Sequence, residues 1–223
     1  MINVAMDGPV GAGKSSVARE CAKRLGFIYV DTGALYRAVG LYCTRNGIEM
    51  SVENEQAVKK AVEDGVSLEI KLEEGNQLVF MNGENVSEEI RLPEISMAAS
   101  AVSAIPAVRR FLLDTQRSVA AKNNVIMDGR DIGTVILPNA DVKIFITAAP
   151  EIRAKRRYDE LVAKGVDVKF EDVLSDLNKR DYNDSHRAEA PLKQADDAVL
   201  LDTSALDFEQ TVNEVIRLVK TKM

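Results

Sequence analysis

A short apolar strand runs directly into a phosphate-binding loop: Val4-Ala5-Met6-Asp7 is followed by Gly8-Pro9-Val10-Gly11-Ala12-Gly13-Lys14-Ser15, the spacing Gly-x-x-x-x-Gly-Lys-Ser. Glycines have no Cβ, so consecutive backbone N–H groups can curl around a β-phosphate. Lys14 supplies charge for the β and γ oxygens, and the Ser15 hydroxyl can ligate Mg²⁺. Beyond the loop, Val17, Ala18, Cys21, Ala22 and Leu25 recur at helical spacing. That places the loop at a helix N-terminus, whose dipole favours an anion. Strand, loop and helix in this order predict a nucleotide-triphosphate site built from Gly8 to Ser15 together with Ser16.

Apolar strand-like runs recur at 2–6, 27–30, 125–127, 142–146 and 198–201, separated by helical patterns. The alternation predicts an α/β chain: a parallel sheet flanked by helices, with ligands collecting beyond the carboxyl ends of the strands. Two of those ends carry charge at once, Asp31 after the second run and Asp128-Gly129-Arg130-Asp131 after the third. Asp31-Thr32-Gly33-Ala34-Leu35-Tyr36-Arg37 starts a helix, with Thr32 a candidate cap and Arg37 able to reach a second phosphorylated ligand.

Between about 64 and 92 the period changes to two. The run 66–72 alternates, Glu73-Glu74-Gly75-Asn76 turns, 77–81 returns and Asn82-Gly83 supplies a second tight turn. A small antiparallel unit therefore interrupts the core. We expect one domain over 1–223, with core at 1–63 and 93–223 and the β insertion at 64–92. Two helices, broken near Ile105-Pro106, fill 93–122; others cover 151–164 and 170 to about 181. A polar, mobile run from Tyr182 to Pro191 follows. The last segment sets Phe208, Val212, Val215, Ile216 and Val219 on one helical face. Met97 and the alanines from 98 to 101 read as helix packing.

At net charge −6 the chain lacks the basic surface that nucleic acid requires. No apolar run approaches bilayer length and no signal sequence opens the chain, so a cytoplasmic protein is expected. Cys21 and Cys43 fall on helical apolar patterns and read as buried free thiols. His186 reads as solvent-facing. Arginines cluster, at 153, 156 and 157 and again at 180 and 187, with Arg130 between two aspartates. Focused arginines on an acidic chain suit an enclosed polyphosphate.

Taken together, Gly8–Ser15, the Asp31–Arg37 segment, Asp128-Gly129-Arg130-Asp131-Ile132-Gly133-Thr134, and Arg180-Asp181 with Asp184, Arg187 and Ala190-Pro191-Leu192 resemble the bacterial cytidylate kinases over essentially the whole chain. The insertion is similar to that of the long form, which enlarges the nucleoside-monophosphate subdomain. The resemblance implies a P-loop kinase with a helical lid at 153–190, transferring the ATP γ-phosphate to CMP or dCMP with Mg²⁺, as a monomer. It implies Thr32, Tyr36 and Arg37 at the CMP site, and Ser100, Arg109 and Asp131 around cytosine. Arg130 and Arg187 would join Arg37 on the phosphate, and Asp184 would hold the ribose. Lys14, Arg130, Arg180 and Arg187 are the implied catalytic set, with Arg157 over ATP. Some relatives carry a further lid arginine where this chain has Asn183 or Ser185.

The implied roles fit the chemistry. Cytosine offers an amino donor where uracil offers a carbonyl, so a carboxylate such as Asp131 attracts one and repels the other. Phosphoryl transfer to a phosphate needs no protein nucleophile, only neutralised charge and aligned oxygens. Two rivals are weaker. Asn178-Lys179-Arg180-Asp181 matches a guanine-reading motif in letters but ends a helical pattern, and no Asp-x-x-Gly accompanies it. Another small acceptor, such as shikimate, would share the fold but not the insertion or the cytosine set.

Overall fold

β1 (Asn3–Asp7) is buried along nearly its whole length, as a continuous apolar run requires, and α1 (Lys14–Leu25) follows the glycine loop. The computed structural model describes residues 1–73 and 76–223. They form two compact units: Ile28–Val125 with Met1, and Ile2–Phe27 with Ile126–Met223.

In the second unit, β6 (Val125–Gly129), β1, β7 (Val142–Thr147) and β8 (Val199–Asp202) lie side by side in the order β6-β1-β7-β8. β1 with β7 and β7 with β8 pair in parallel, Val4 opposite Val142 and Ile144 opposite Val199. α1 and α8 (Phe208–Lys220) pack together; Val212, Val215 and Val219 turn into the core, and a capping box of Asp207 and Gln210 starts α8. α6 (Pro150–Ala163) and α7 (Phe170–His186) form a satellite apolar cluster with Ala154, Val173 and Leu177, which Val10 of the loop joins. α7 runs on to His186, past the helix end expected near residue 181. Tyr182 and His186 stack at 4.0 Å on its last turn, and His186 is solvent-exposed.

In the first unit, β2 (Ile28–Asp31) feeds α2 (Thr32–Arg45). α3 (Glu55–Gly65), α4 (Pro93–Ser103) and α5 (Pro106–Lys122) complete its helices. β3 (Leu68–Glu73), β4 (Asn76–Met81) and β5 (Glu84–Asn85) form an antiparallel sheet in that order, Ile70 opposite Val79. The expected turn at Glu74-Gly75 lies outside the described residues. One core holds Leu35 and Val39 of α2, Val58 and Val62 of α3, Val79 and Met81 of β4, Ile95 and Val102 of α4, and Leu112 of α5. α4 and α5 meet at 98°, with Pro106 at a first-turn position as its fixed φ allows. Met97 contradicts its packing assignment, being 79% exposed, whereas Ala98 is buried. On a helix turning 100° per residue, neighbours face different directions, and only Ala98 falls on the inner side.

Cys21 and Cys43 are buried free thiols, and burial pushes them up to about 12 and about 11. Among the described residues no single helix is long and apolar enough to cross a membrane.

Candidate active site

The loop geometry begins at Gly8. Its φ is +147°, and a Cβ there would sit 1.9 Å from the carbonyl oxygen of Ile146, so no other residue fits. Gly13 caps α1 in the left-handed region at φ 83°. Lys14, 5% exposed, donates from Nζ to the Pro9 carbonyl at 2.7 Å and so folds its ammonium over the loop. Ser15 Oγ donates to Asp128 Oδ2 at 2.7 Å. Asp128 is the penultimate residue of β6, and Asp7 ends β1. Asp7 accepts the N–H groups of Ile132 and Gly133, both at 2.7 Å, at the start of the π-helical turn Ile132–Ile136. Burial raises its carboxyl to about 6 against the lowering effect of those two bonds; Asp131 raises it further and Lys14 lowers it.

Around Lys14 the cations crowd. Arg130 Nε donates to Asp184 at 2.7 Å, and Arg187 Nη2 to Asp131 at 3.2 Å, with Asp131 only 3% exposed. Burial first, then Arg130, holds the Lys14 ammonium well below its ordinary range. Burial and then Arg130 likewise lower Arg180; Asp184 and Asp181 act the other way, and Arg157 adds repulsion. Arg130 thus lowers both Lys14 and Arg180, and an added anion would relieve that like-charge repulsion. Arg157 pairs with Glu160 on its own exposed helix face.

The polar run after α7 is tied at Arg187, which also donates from Nε to the Ala190 carbonyl at 2.6 Å. The reason is charge, since a buried Asp131 demands a partner.

Sequence reasoning missed the brace behind the loop. Arg153, 4% exposed, donates to the carbonyls of Ala148 and Val10, both at 2.8 Å, and to Asp181 at 2.6 Å. Asp181 in turn accepts the Val10 N–H at 3.2 Å. Its only sequence signal was the place of Arg153 in the arginine cluster at 153, 156 and 157. Asp181 is thereby committed within a helix, which removes the guanine-reading alternative. Arg156 is equally structural, donating to the Thr203 carbonyl at 2.8 Å.

The other unit carries a second set. Asp31, rather than Thr32, caps α2, accepting the Ala34 N–H at 3.1 Å; Thr32 is the first helical residue and is buried. The Asp31 backbone is extended while Thr32 is already helical, so the capping side chain is the carboxylate. Arg37 Nη2 donates to Asp31 Oδ2 at 2.6 Å, while its buried Nε has no partner among the described residues. Arg109 of α5 lies over the Tyr36 ring at 5.6 Å and donates to the Ser103 carbonyl at 3.3 Å. Half-buried Ser100 stands one turn before Ser103, whose hydroxyl bonds its carbonyl.

Comparison with known proteins gives the family. The family model described as cytidylate kinase matches residues 4–221. A cytidylate kinase of Caldicellulosiruptor bescii is 49% identical over 219 residues, covering 97% of this chain and 95% of that protein. One from Caldanaerobacter subterraneus is 48% identical, covering 98% and 95%, and one from Thermosipho melanesiensis 46%, covering 98% and 97%. A crystal structure of an uncharacterized protein from Eubacterium ventriosum superposes with a TM-score of 0.53 at 13% identity, covering 99% of both chains, a likeness of fold.

Proposed function

The chain belongs to the cytidylate kinase family, and from that premise we propose that it transfers the γ-phosphate of ATP to CMP or dCMP, giving ADP and CDP or dCDP. The observation that carries the reading is the like-charge cluster of Lys14, Arg130 and Arg180 over a glycine loop at a helix N-terminus. A triphosphate with an in-line acceptor phosphate is the ligand whose charge such a cluster suits.

Residues Gly8 to Ser16 wrap the ATP phosphates, with Lys14 on the β and γ oxygens and Arg157 reaching ATP from α6. Mg²⁺ fits beside Ser15 and Asp128, since hard oxygen donors with few protein ligands suit an ion that keeps phosphate and water in its shell. When bound it would neutralise phosphate charge. Arg130 and Arg187 are proposed for the phosphate of CMP, as is Arg37, whose unpartnered Nε is an open donor. Thr32 and Tyr36 contact the nucleotide, Ser100, Arg109 and Asp131 read cytosine, and Asp184 takes the ribose hydroxyls. Lys14, Arg130, Arg180 and Arg187 hold the charge that develops as the phosphoryl group moves, and α6 and α7, as a lid, keep water from it.

The enzyme is read as a monomeric cytoplasmic protein, acting on small molecules without nucleic acid or membrane, as its acidic balance suggests. A coupled assay of ADP release against CMP, dCMP, UMP, AMP and shikimate tests the reading. CMP and dCMP should lead and UMP lag; equal turnover of AMP and CMP would overturn it.

A further inference from the structure

We propose that Gln77, on the second strand of the inserted hairpin, is a positioning residue for acceptor-phosphate binding, acting through Asp31 on Arg37. Gln77 Oε1 accepts the Asp31 N–H at 2.8 Å, and Gln77 Nε2 donates to the Asp31 carbonyl at 3.2 Å. One amide thus closes both polar groups of a residue 46 positions away. An amide can do this because it carries a donor and an acceptor on separate atoms, whereas a carboxylate lacks the donor and an ammonium the acceptor. The hairpin offers it from a fixed place. Gln77 lies opposite Leu72 in the β3–β4 register, and side chains two apart share a face, so it stands on the side from which Val79 and Met81 enter the core.

Asp31 then hands the order on. Its Oδ1 caps α2 at Ala34 and its Oδ2 holds Arg37 at 2.6 Å, so the backbone clamp sets where the guanidinium points. The space is tight: a Cβ on Gly33 would sit 3.1 Å from Asp31 Oδ1 and 3.2 Å from Arg37 Nη1. Without the clamp, the Asp31 peptide turns more freely, and Arg37 meets a phosphate at an added ordering cost. The insertion therefore contributes to phosphate affinity with no contact to phosphate of its own.

The inference rests on Arg37 as a ligand of the CMP phosphate, and the test separates the two. Steady-state kinetics are run on Gln77→Ala, Gln77→Glu, Arg37→Ala and the Gln77→Ala/Arg37→Ala double variant, with cytidine as a competitive inhibitor that lacks the phosphate. Losing two neutral hydrogen bonds should raise KM for CMP about ten-fold in Gln77→Ala, with kcat changed less. KM for ATP and Ki for cytidine should stay put, which also shows the variant to be folded. Gln77→Glu, equal in size and keeping the acceptor, should fall between. In the Arg37→Ala background the Gln77 effect should shrink below about twofold, as residues acting through one contact do. An unchanged KM for CMP in Gln77→Ala, with Arg37→Ala impaired, overturns the clamp alone. Equal losses for cytidine and CMP overturn the route through phosphate. An Arg37→Ala variant with parental KM overturns the reading of Arg37 itself, and the inference with it.

Discussion

The two units hold their phosphate-seeking groups in opposite ways. Around the glycine loop the cations Lys14, Arg130 and Arg180 come from three separate stretches, and burial and then Arg130 depress Lys14 and Arg180. In Ile28–Val125 the groups are held one by one: Arg37 by Asp31, although its Nε has no partner among the described residues, Asp31 by Gln77, and Arg109 by Tyr36 and the Ser103 carbonyl. On the proposed reading, the first arrangement offers repulsion for a triphosphate to discharge, and the second offers order to a smaller ligand. The contrast teaches that charge density and preorganisation are separate routes to phosphate affinity, and substitutions on the two sides should fail differently.

The largest effect should come from the crowded side. Lys14→Ala is expected to lower kcat/KM for ATP and CMP about 10³-fold with little change in Tm, because a buried ammonium held below its ordinary range adds little to folding. Kinetics paired with thermal unfolding check this, and a Tm collapse matching the lost activity would break the contrast.

Arg187→Ala should lower kcat about 10²-fold at saturating substrates. It should also cost about 1–3 kcal/mol of stability, because it removes one partner of buried Asp131. A kcat within about threefold of the parent would take Arg187 away from the transition state.

Base choice should respond less. Asp131→Asn gives the amide a donor for the uracil carbonyl, so the CMP/UMP ratio of kcat/KM should narrow by about 10- to 100-fold. An unmoved ratio would leave Asp131 as only the holder of Arg187.

The smallest effect concerns Asp7, raised by burial to about 6. Between about pH 4 and 6 the native carboxyl keeps its proton while the unfolded one has released it, so its contribution is complete below that window and lost as pH rises through it. Urea unfolding of the parent against Asp7→Asn should show the parent losing on the order of 2 kcal/mol relative to the variant across that range. A flat difference would mean that the two backbone bonds fully offset desolvation.

Much of this was legible in the chain. The strands, the hairpin, the break at Pro106 and the C-terminal helix all follow from period and turn chemistry, because each is set by neighbours in sequence. The cap was misassigned to Thr32 because Asp31 and Thr32 are both good caps, and local propensity does not choose between adjacent candidates. The extension of α7 to His186 was hidden by polar residues that stack and bond only once the helix exists.

By itself, the sequence determined the phosphate loop and the family. A loop of fixed spacing can bind phosphate only one way, and its glycines carry the backbone instruction locally. Tertiary structure decided which charges meet: that Arg153 and Asp181 brace Val10, that Arg187 answers Asp131 and that Gln77 clamps Asp31. Those partners lie 46 to 171 residues apart. Coulomb and hydrogen-bond energies depend on distance in space, and no periodicity along the chain records it.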